Sequence, residues 1–214
     1  MWASLREAFC DAFFPIRSLA GREGEWVSRD ELMTLRHSTI RLERTQMRKR
    51  GMRSVDRLIA VGPYNDPLLR RAIWTLKYRR LSGIAVPLGS LLCDAVMPHI
   101  LDEGVLCPVP LHWMRKFARG FNQASLLARS MAQQCDLPVQ ELLRRVRLTG
   151  SQARRSREER RRALTHAFHC SYTAPASVIL VDDVATSGAT LEACARELRK
   201  HGTQTVVAVV LALG

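Results

Sequence analysis

The run Val178-Ile179-Leu180-Val181-Asp182-Asp183-Val184-Ala185-Thr186-Ser187-Gly188-Ala189-Thr190 constrains this chain more than any other stretch, because an apolar strand, two acids and a hydroxyl-rich loop follow one another directly. Residues 178–181 are all branched aliphatics bounded by polar positions, the pattern of a parallel strand covered on both faces. The loop opens a helix near Ala189, where free backbone N–H groups and the positive end of the helix dipole favour an anion. Thr186, Ser187 and Thr190 add hydroxyl donors, and Gly188 removes the Cβ that would keep a phosphate from the backbone. Asp182 and Asp183 come one step earlier, where carboxylates can accept from sugar hydroxyls or hold Mg²⁺. A plain strand-to-helix turn with solvated aspartates is the alternative, and it leaves the loop that follows them unexplained.

Around this turn the chain alternates. Strands are expected at residues 57–61, 105–109, 139–143, 178–181 and 205–211, and helices at 67–78, 84–97, 123–134, from Ser156, and at 189–201 with Gly202 as the stop. Such alternation predicts an α/β fold, a mostly parallel twisted sheet with helices on both faces and its ligand at the carboxyl ends of the strands. Residues 1–53 read differently, as a small irregular helical segment: an amphipathic stretch at 1–14, a capping-box spacing at Ser28 and Glu31, and a basic run from Arg41 to Arg53 ending near Gly51. The expected division is therefore 1–53 and 54–214.

The chain has 214 residues and 47% hydrophobic content, ample for one core. Six scattered cysteines without a C-x-x-C pair predict free thiols in a reducing cytosol. Pro87, Asp94 and Pro98 interrupt the longest apolar tract, so neither membrane insertion nor a signal segment is expected, and the location reads as cytoplasmic. The net charge of +13 calls for anionic partners, either polyphosphate ligands or nucleic acid. His112 lies in a basic loop, whereas His37, His99, His166, His169 and His201 fit no metal or triad spacing.

The run from Val178 to Thr190 resembles the phosphoribosyl pyrophosphate (PRPP) signature of type I phosphoribosyltransferases: apolar residues, two acids, two variable positions, then Thr-x-Gly-x-Thr. A second set of motifs narrows the resemblance. Leu76-Lys77-Tyr78, Val109-Pro110, Arg119-Gly120-Phe121-Asn122-Gln123, Arg145-x-Arg147-x-Thr149 with Gln152, and Arg160 through Ala167-Phe168 together resemble the ComF family of phosphoribosyltransferase-like proteins, across residues 55–213. The resemblance implies a type I phosphoribosyltransferase fold binding PRPP, or a related phosphoribosyl ligand, with Mg²⁺. The 5′-phosphate would sit on Val184, Ala185, Thr186, Ser187, Gly188, Ala189 and Thr190. Asp182 and Asp183 would reach the ribose hydroxyls and touch Mg²⁺ indirectly through PRPP. Arg115, Lys116, Arg119 and Lys77 would meet the pyrophosphate, with Gln152 and Arg160 on a covering segment. Asp182, Asp183, Arg119 and Arg160 are the catalytic candidates for a phosphoribosyltransferase whose acceptor no residue announces.

Relatives in competence and DNA uptake make single-stranded DNA and a competence helicase alternative partners, with the basic residues at 41–53 and 144–162 against phosphates. A PRPP-sensing regulator without turnover is a third reading. Two departures stand out. The family's N-terminal zinc ribbon survives only in Phe14-Pro15 and Gly24-Glu25-Trp26, while Ser18, Ala20, Ser28 and Glu31 occupy the ligand-like places; serine is a poor zinc ligand, so no zinc is expected. Ala163 stands where the family usually has Asn, and His166 where Gly is frequent.

Overall fold

Strands that are apolar on both faces need two layers of cover, and the computed structural model provides them. It describes residues 18–36, 39–77, 83–99, 104–111, 120–146, 164 and 166–214. The elements in order are α1 (Arg29–Arg36), β1 (Ile40–Leu42), α2 (Arg44–Lys49), β2 (Arg57–Pro63), α3 (Pro67–Leu76), α4 (Ala85–Val96), β3 (Val105–Pro108), α5 (Gln123–Cys135), β4 (Leu143–Arg145), β5 (Phe168–Cys170), β6 (Ser177–Ala185), α6 (Ala189–Lys200) and β7 (Thr205–Leu213).

The main sheet has the order β1-β2-β7-β6-β3. All its pairs are parallel except β1 with β2. Because side chains alternate across a strand, each strand feeds both layers. Ile59, Val61, Ile179, Val181, Val207 and Val209 join a core with α3, α4 and α5. Their neighbours Leu58, Ala60, Val178, Leu180, Ala208 and Val210 join the core under α6. β4 and β5 form a separate antiparallel pair whose Leu143 and Phe168 close the α6 side.

Local chemistry sets the helix starts. The Asp66 carboxylate accepts from the Leu69 N–H at 2.9 Å, and Pro67 supplies the first helical position of α3. Ser28 and Glu31 make the expected capping box: the Ser28 N–H donates to Glu31 Oε2 at 2.7 Å and the Glu31 N–H to Ser28 Oγ at 3.3 Å.

Across the expected boundary at residue 53, β1 adds an antiparallel strand to the main sheet, and Met47 and Met52 are buried in the core. The basic run hid this strand: Arg41 is exposed, while Leu42 is buried and Ile40 packs against the same core. Three expectations need correction. Residues 139–143 are not a strand; Val139 makes one isolated bridge to Leu106 and pairing begins at Leu143, against β5. β6 extends beyond Val181 to Ala185 because β7 continues to pair with it. Finally, the cysteines are not all free. α4 packs on α5 and brings Cys93 and Cys135 to a Cα–Cα distance of 6.0 Å, joined as a disulfide, while Cys107, Cys170 and Cys194 are free and buried. The expected helices at 1–14 and from Ser156 lie outside the described residues.

Candidate functional site

The site begins where β3 stops. Its last residue pairs as Pro108 with Val181, and the Val109 N–H bonds the Val181 carbonyl at 2.9 Å. From Asp182 onward β6 is paired only on its β7 side, Asp182 with Val210 and Val184 with Ala212. The space left open at this carboxyl edge is a cleft of about 220 Å³. Lys77, Asn122, Gln123, Arg145, Asp182, Asp183 and Thr190 line it, beside Val109, Pro110, Leu111 and Ala124.

Asp182 and Asp183 are both half-buried. Burial first, and then the neighbouring Asp183 carboxylate, push the Asp182 carboxyl well above the usual carboxylate range. The Asp183 N–H, which donates to Asp182 Oδ1 at 2.9 Å, and the Arg145 guanidinium oppose this shift without cancelling it.

The turn after β6 is held from behind. Gly188 is the N-cap of α6 with φ +71°, a conformation that favours glycine. A Cβ there would lie 2.2 Å from Met52 Sδ, so the buried methionine forms the floor of the turn. Arg50 Nη1 donates to the Gly214 carbonyl at 3.0 Å and to the Thr186 carbonyl at 3.4 Å. The Glu192 carboxylate, in the first turn of α6, accepts from the Arg53 N–H, the Ser54 N–H and the Ser54 hydroxyl, each at 2.9 Å. Arg199 donates from Nε to the Ser54 carbonyl at 2.7 Å and from Nη2 to Asp56 at 2.6 Å. The segment at 50–56 is thus fixed to α6, and part of the basic run at 41–53 serves this purpose: Arg44 also pairs with Asp56.

The structure brings Lys77, Asp182, Asp183 and Thr190 to one cleft. Val184, Ala185, Thr186, Ser187, Gly188 and Ala189 form the strand end and turn beside it. Arg115, Lys116, Arg119, Gln152 and Arg160 lie outside the described residues. Sequence reasoning missed two lining side chains. Arg145 enters from the β4–β5 pair, with its guanidinium carbon 5.5 Å from the Phe168 ring centre; it was quoted only as part of a motif. Gln123 is 2% exposed and its Nε2 has no hydrogen-bond partner among the described residues. Its neighbour Asn122 caps α5, accepting from the Ala124 N–H at 3.2 Å and donating to the Val109 carbonyl at 3.0 Å, which explains why Asn122 and Gln123 belong beside the end of β3.

Chemically, the arrangement offers a phosphate-sized turn of N–H and hydroxyl donors, two carboxylates for hydroxyl groups or a hard cation, and cations opposite them. Among the described residues no group of three or more His, Cys, Asp or Glu is set to hold a metal alone, and no helix is long and apolar enough to cross a membrane.

The family model described as phosphoribosyl transferase domain matches residues 120–214. Competence protein F of Haemophilus influenzae is 33% identical over 163 residues, spanning 72% of this chain and 71% of that protein. DNA utilization protein YhgH of Salmonella typhimurium is 35% identical over 158 residues, 70% of this chain and 69% of that protein. Competence protein ComFC of Bacillus subtilis is 32% identical over 146 residues, 67% of this chain and 58% of that protein.

Proposed function

The chain belongs to the ComF family, with a phosphoribosyltransferase domain, and we propose on that premise that its cleft binds PRPP with Mg²⁺ and transfers the phosphoribosyl group to an acceptor. The observation that carries this reading is the meeting of Asp182, Asp183, Thr190 and Lys77 in one cleft at the open edge of β6. Donors for a 5′-phosphate, acceptors for vicinal hydroxyls and a cation for a leaving polyanion come together there.

In this reading the N–H and hydroxyl groups of the turn at 186–190 hold the 5′-phosphate at the start of α6. Asp182 and Asp183 accept from the ribose 2′- and 3′-hydroxyls and so orient C1′. Asp182 and Asp183 would meet a magnesium only indirectly, through the PRPP oxygens that would hold it. When bound, that ion supplies charge neutralisation to the pyrophosphate. The C1′–O bond breaks with its electron pair going to pyrophosphate, and the acceptor's lone pair forms the new bond to C1′. Lys77 and Arg145 face the growing negative charge, the kind of preorganised stabilisation for which one lost donor costs roughly 3–4 kcal/mol. Arg115, Lys116 and Arg119 take the same role through the family resemblance, with Gln152 and Arg160 above them.

Isothermal calorimetry with PRPP and Mg²⁺ tests the binding. Saturable one-to-one heat is expected, and its absence with folded protein sinks the assignment. Pyrophosphate release over a panel of acceptors then distinguishes turnover from a sensor.

A second reading, contact with single-stranded DNA alongside a competence helicase, is favoured by the names of the relatives and by one surface. Trp74 and Tyr64 are 59% and 39% exposed and share a surface hollow with Arg70, Arg71 and Lys77, the pairing of stacking rings and cations used for single strands. Anisotropy with a labelled oligonucleotide tests it: binding should weaken steeply with salt and with Arg70→Glu plus Arg71→Glu.

A further inference from the structure

The family resemblance implies a zinc ribbon at the N-terminus, and the side chains in the ligand-like places do something else. Glu31 reaches back from α1 to both turns of the segment. Its Oε1 accepts the Ser18 hydroxyl at 3.1 Å and the Ala20 N–H, while Oε2 accepts the Ser28 N–H at 2.7 Å. The first turn is closed on itself by the Ser18 N–H to the Arg22 carbonyl at 2.7 Å and the Gly21 N–H to the Ser18 carbonyl at 2.9 Å. Ser18, Ser28 and Glu31 are all buried, at 2%, 2% and 6% exposure.

These groups do not fit zinc. Both Glu31 oxygens face hydrogen-bond donors, Ala20 offers a backbone N–H, and neutral serine hydroxyls are poor ligands. A buried carboxylate is tolerated when its lone pairs are filled by donors, and here two stretches of chain supply them. Burial draws the Glu31 proton affinity upward, but the amides of Ser28 and Ala20 and the hydroxyls of Ser18 and Ser28 outweigh it and hold the carboxyl below its ordinary value.

The locked segment leans on the chain that delivers Lys77. Leu19, Val27 and Leu35 join Ile73, Leu76 and Ile84 in one core. Trp26 lies on Gly83, where an added Cβ would come within 2.5 Å of the indole Nε1. Leu76 directly precedes Lys77, a cleft residue.

We propose that the Glu31 carboxylate takes the place of a metal ion in this segment, tying its two turns together without zinc and thereby bracing the end of α3 that positions Lys77. Glu31 is on this account a positioning residue. The bracing of Lys77 rests on the cleft reading above, whereas the metal-free lock does not.

The test uses the full chain without ligand. Elemental analysis should find no stoichiometric zinc, and a strong chelator should leave Tm unchanged. Glu31→Gln should lower Tm by roughly 5 °C and speed amide exchange at least tenfold at 18–36 and 83–88, read by mass spectrometry. Gly83→Ala, which presses on Trp26 and leaves the carboxylate in place, should speed exchange at 83–88 while sparing 18–22. If Glu31→Gln fails to fold, Ser18→Ala removes one donor to the carboxylate, together with the acceptor of the Arg22 N–H, and should loosen 18–22 with a smaller Tm loss. One tightly held zinc whose removal melts the segment overturns the proposal, as does unchanged exchange in both the Glu31 and Ser18 variants. Lys77 is read separately: in the folded Glu31 variant PRPP affinity should fall and recover in Glu31→Asp. Failure of the wild type to bind PRPP counts against the cleft reading and leaves the exchange test intact.

Discussion

Asp182 and Glu31 are both carboxylates drawn out of water, and their proton affinities move in opposite directions. Burial raises Asp182, and its neighbour Asp183 raises it further. Glu31 is held below its ordinary range by amide and hydroxyl donors, although burial pulls it the other way. Burial draws both carboxyls upward, and the supply of donors separates them. Glu31 is satisfied by its own chain and works as structure. Asp182, short of donors and beside a second acid, is an incomplete set that a hydroxylated, cation-bearing ligand would complete.

The comparison can be broken most directly at the cleft. The double variant Asp182→Asn, Asp183→Asn should lose PRPP affinity by more than about 100-fold, roughly 3 kcal/mol, with no fall in Tm because a repulsion has been removed; calorimetry and thermal melting read the two quantities. A simultaneous collapse of Tm would mean the acids are structural, like Glu31. Gly188→Ala tests the floor of the turn: a left-handed conformation and a methionine in the way should together cost roughly 2–4 kcal/mol in chemical denaturation.

Glu31→Gln should cost about 1–3 kcal/mol, and pH separates it from Asp182→Asn. The Glu31 carboxyl has a lowered proton affinity in the folded chain, so its contribution is complete above the ordinary glutamate range and is lost as pH falls through the folded value. The stability gap between wild type and Glu31→Gln should accordingly close on acidification. Arg22 and Asp30, which pair with each other nearby at 3.1 Å and are exposed, remain in both proteins. For Asp182, with a raised affinity, stability falls as pH rises through the window above the ordinary aspartate range, so Asp182→Asn should gain on wild type towards neutral pH. Denaturant midpoints across pH 3–8, roughly the span of these titrations, check both slopes. The smallest effect is expected at Gln123→Leu. It deletes an amide whose Nε2 lacks a partner among the described residues, so stability should change by less than about 1 kcal/mol, while PRPP affinity drops about tenfold.

How much of this was legible in the sequence follows the range of the interactions. The β6 turn was readable because strand, acids, Gly188 and the first turn of α6 are contiguous, and the half of the Glu31 network that is a capping box spans only three positions. The other half was not, since nothing local links Ser18 to a residue 13 positions away. Cys93 and Cys135, with a sequence separation of 42, were unreadable for the same reason. Arg145 reaches the cleft only because β4 finds β5 across residues 147–163, a pairing that no periodicity announces. β1 was lost inside a basic run because charged and apolar side chains there point to opposite faces.

The strand order also sets a schedule. The Val206 N–H donates to the Asp56 carboxylate at 2.9 Å across a sequence separation of 150, and β2 takes its parallel partner from β7. A chain emerging from a ribosome therefore carries β2 without its parallel partner until β7 has been made. Contacts this distant are slow to form and leave a strand edge exposed in the interval. The sheet closes when β7 slots between β2 and β6, and because β7 is the partner of Asp182 and Val184, a chain without it has no finished cleft to offer.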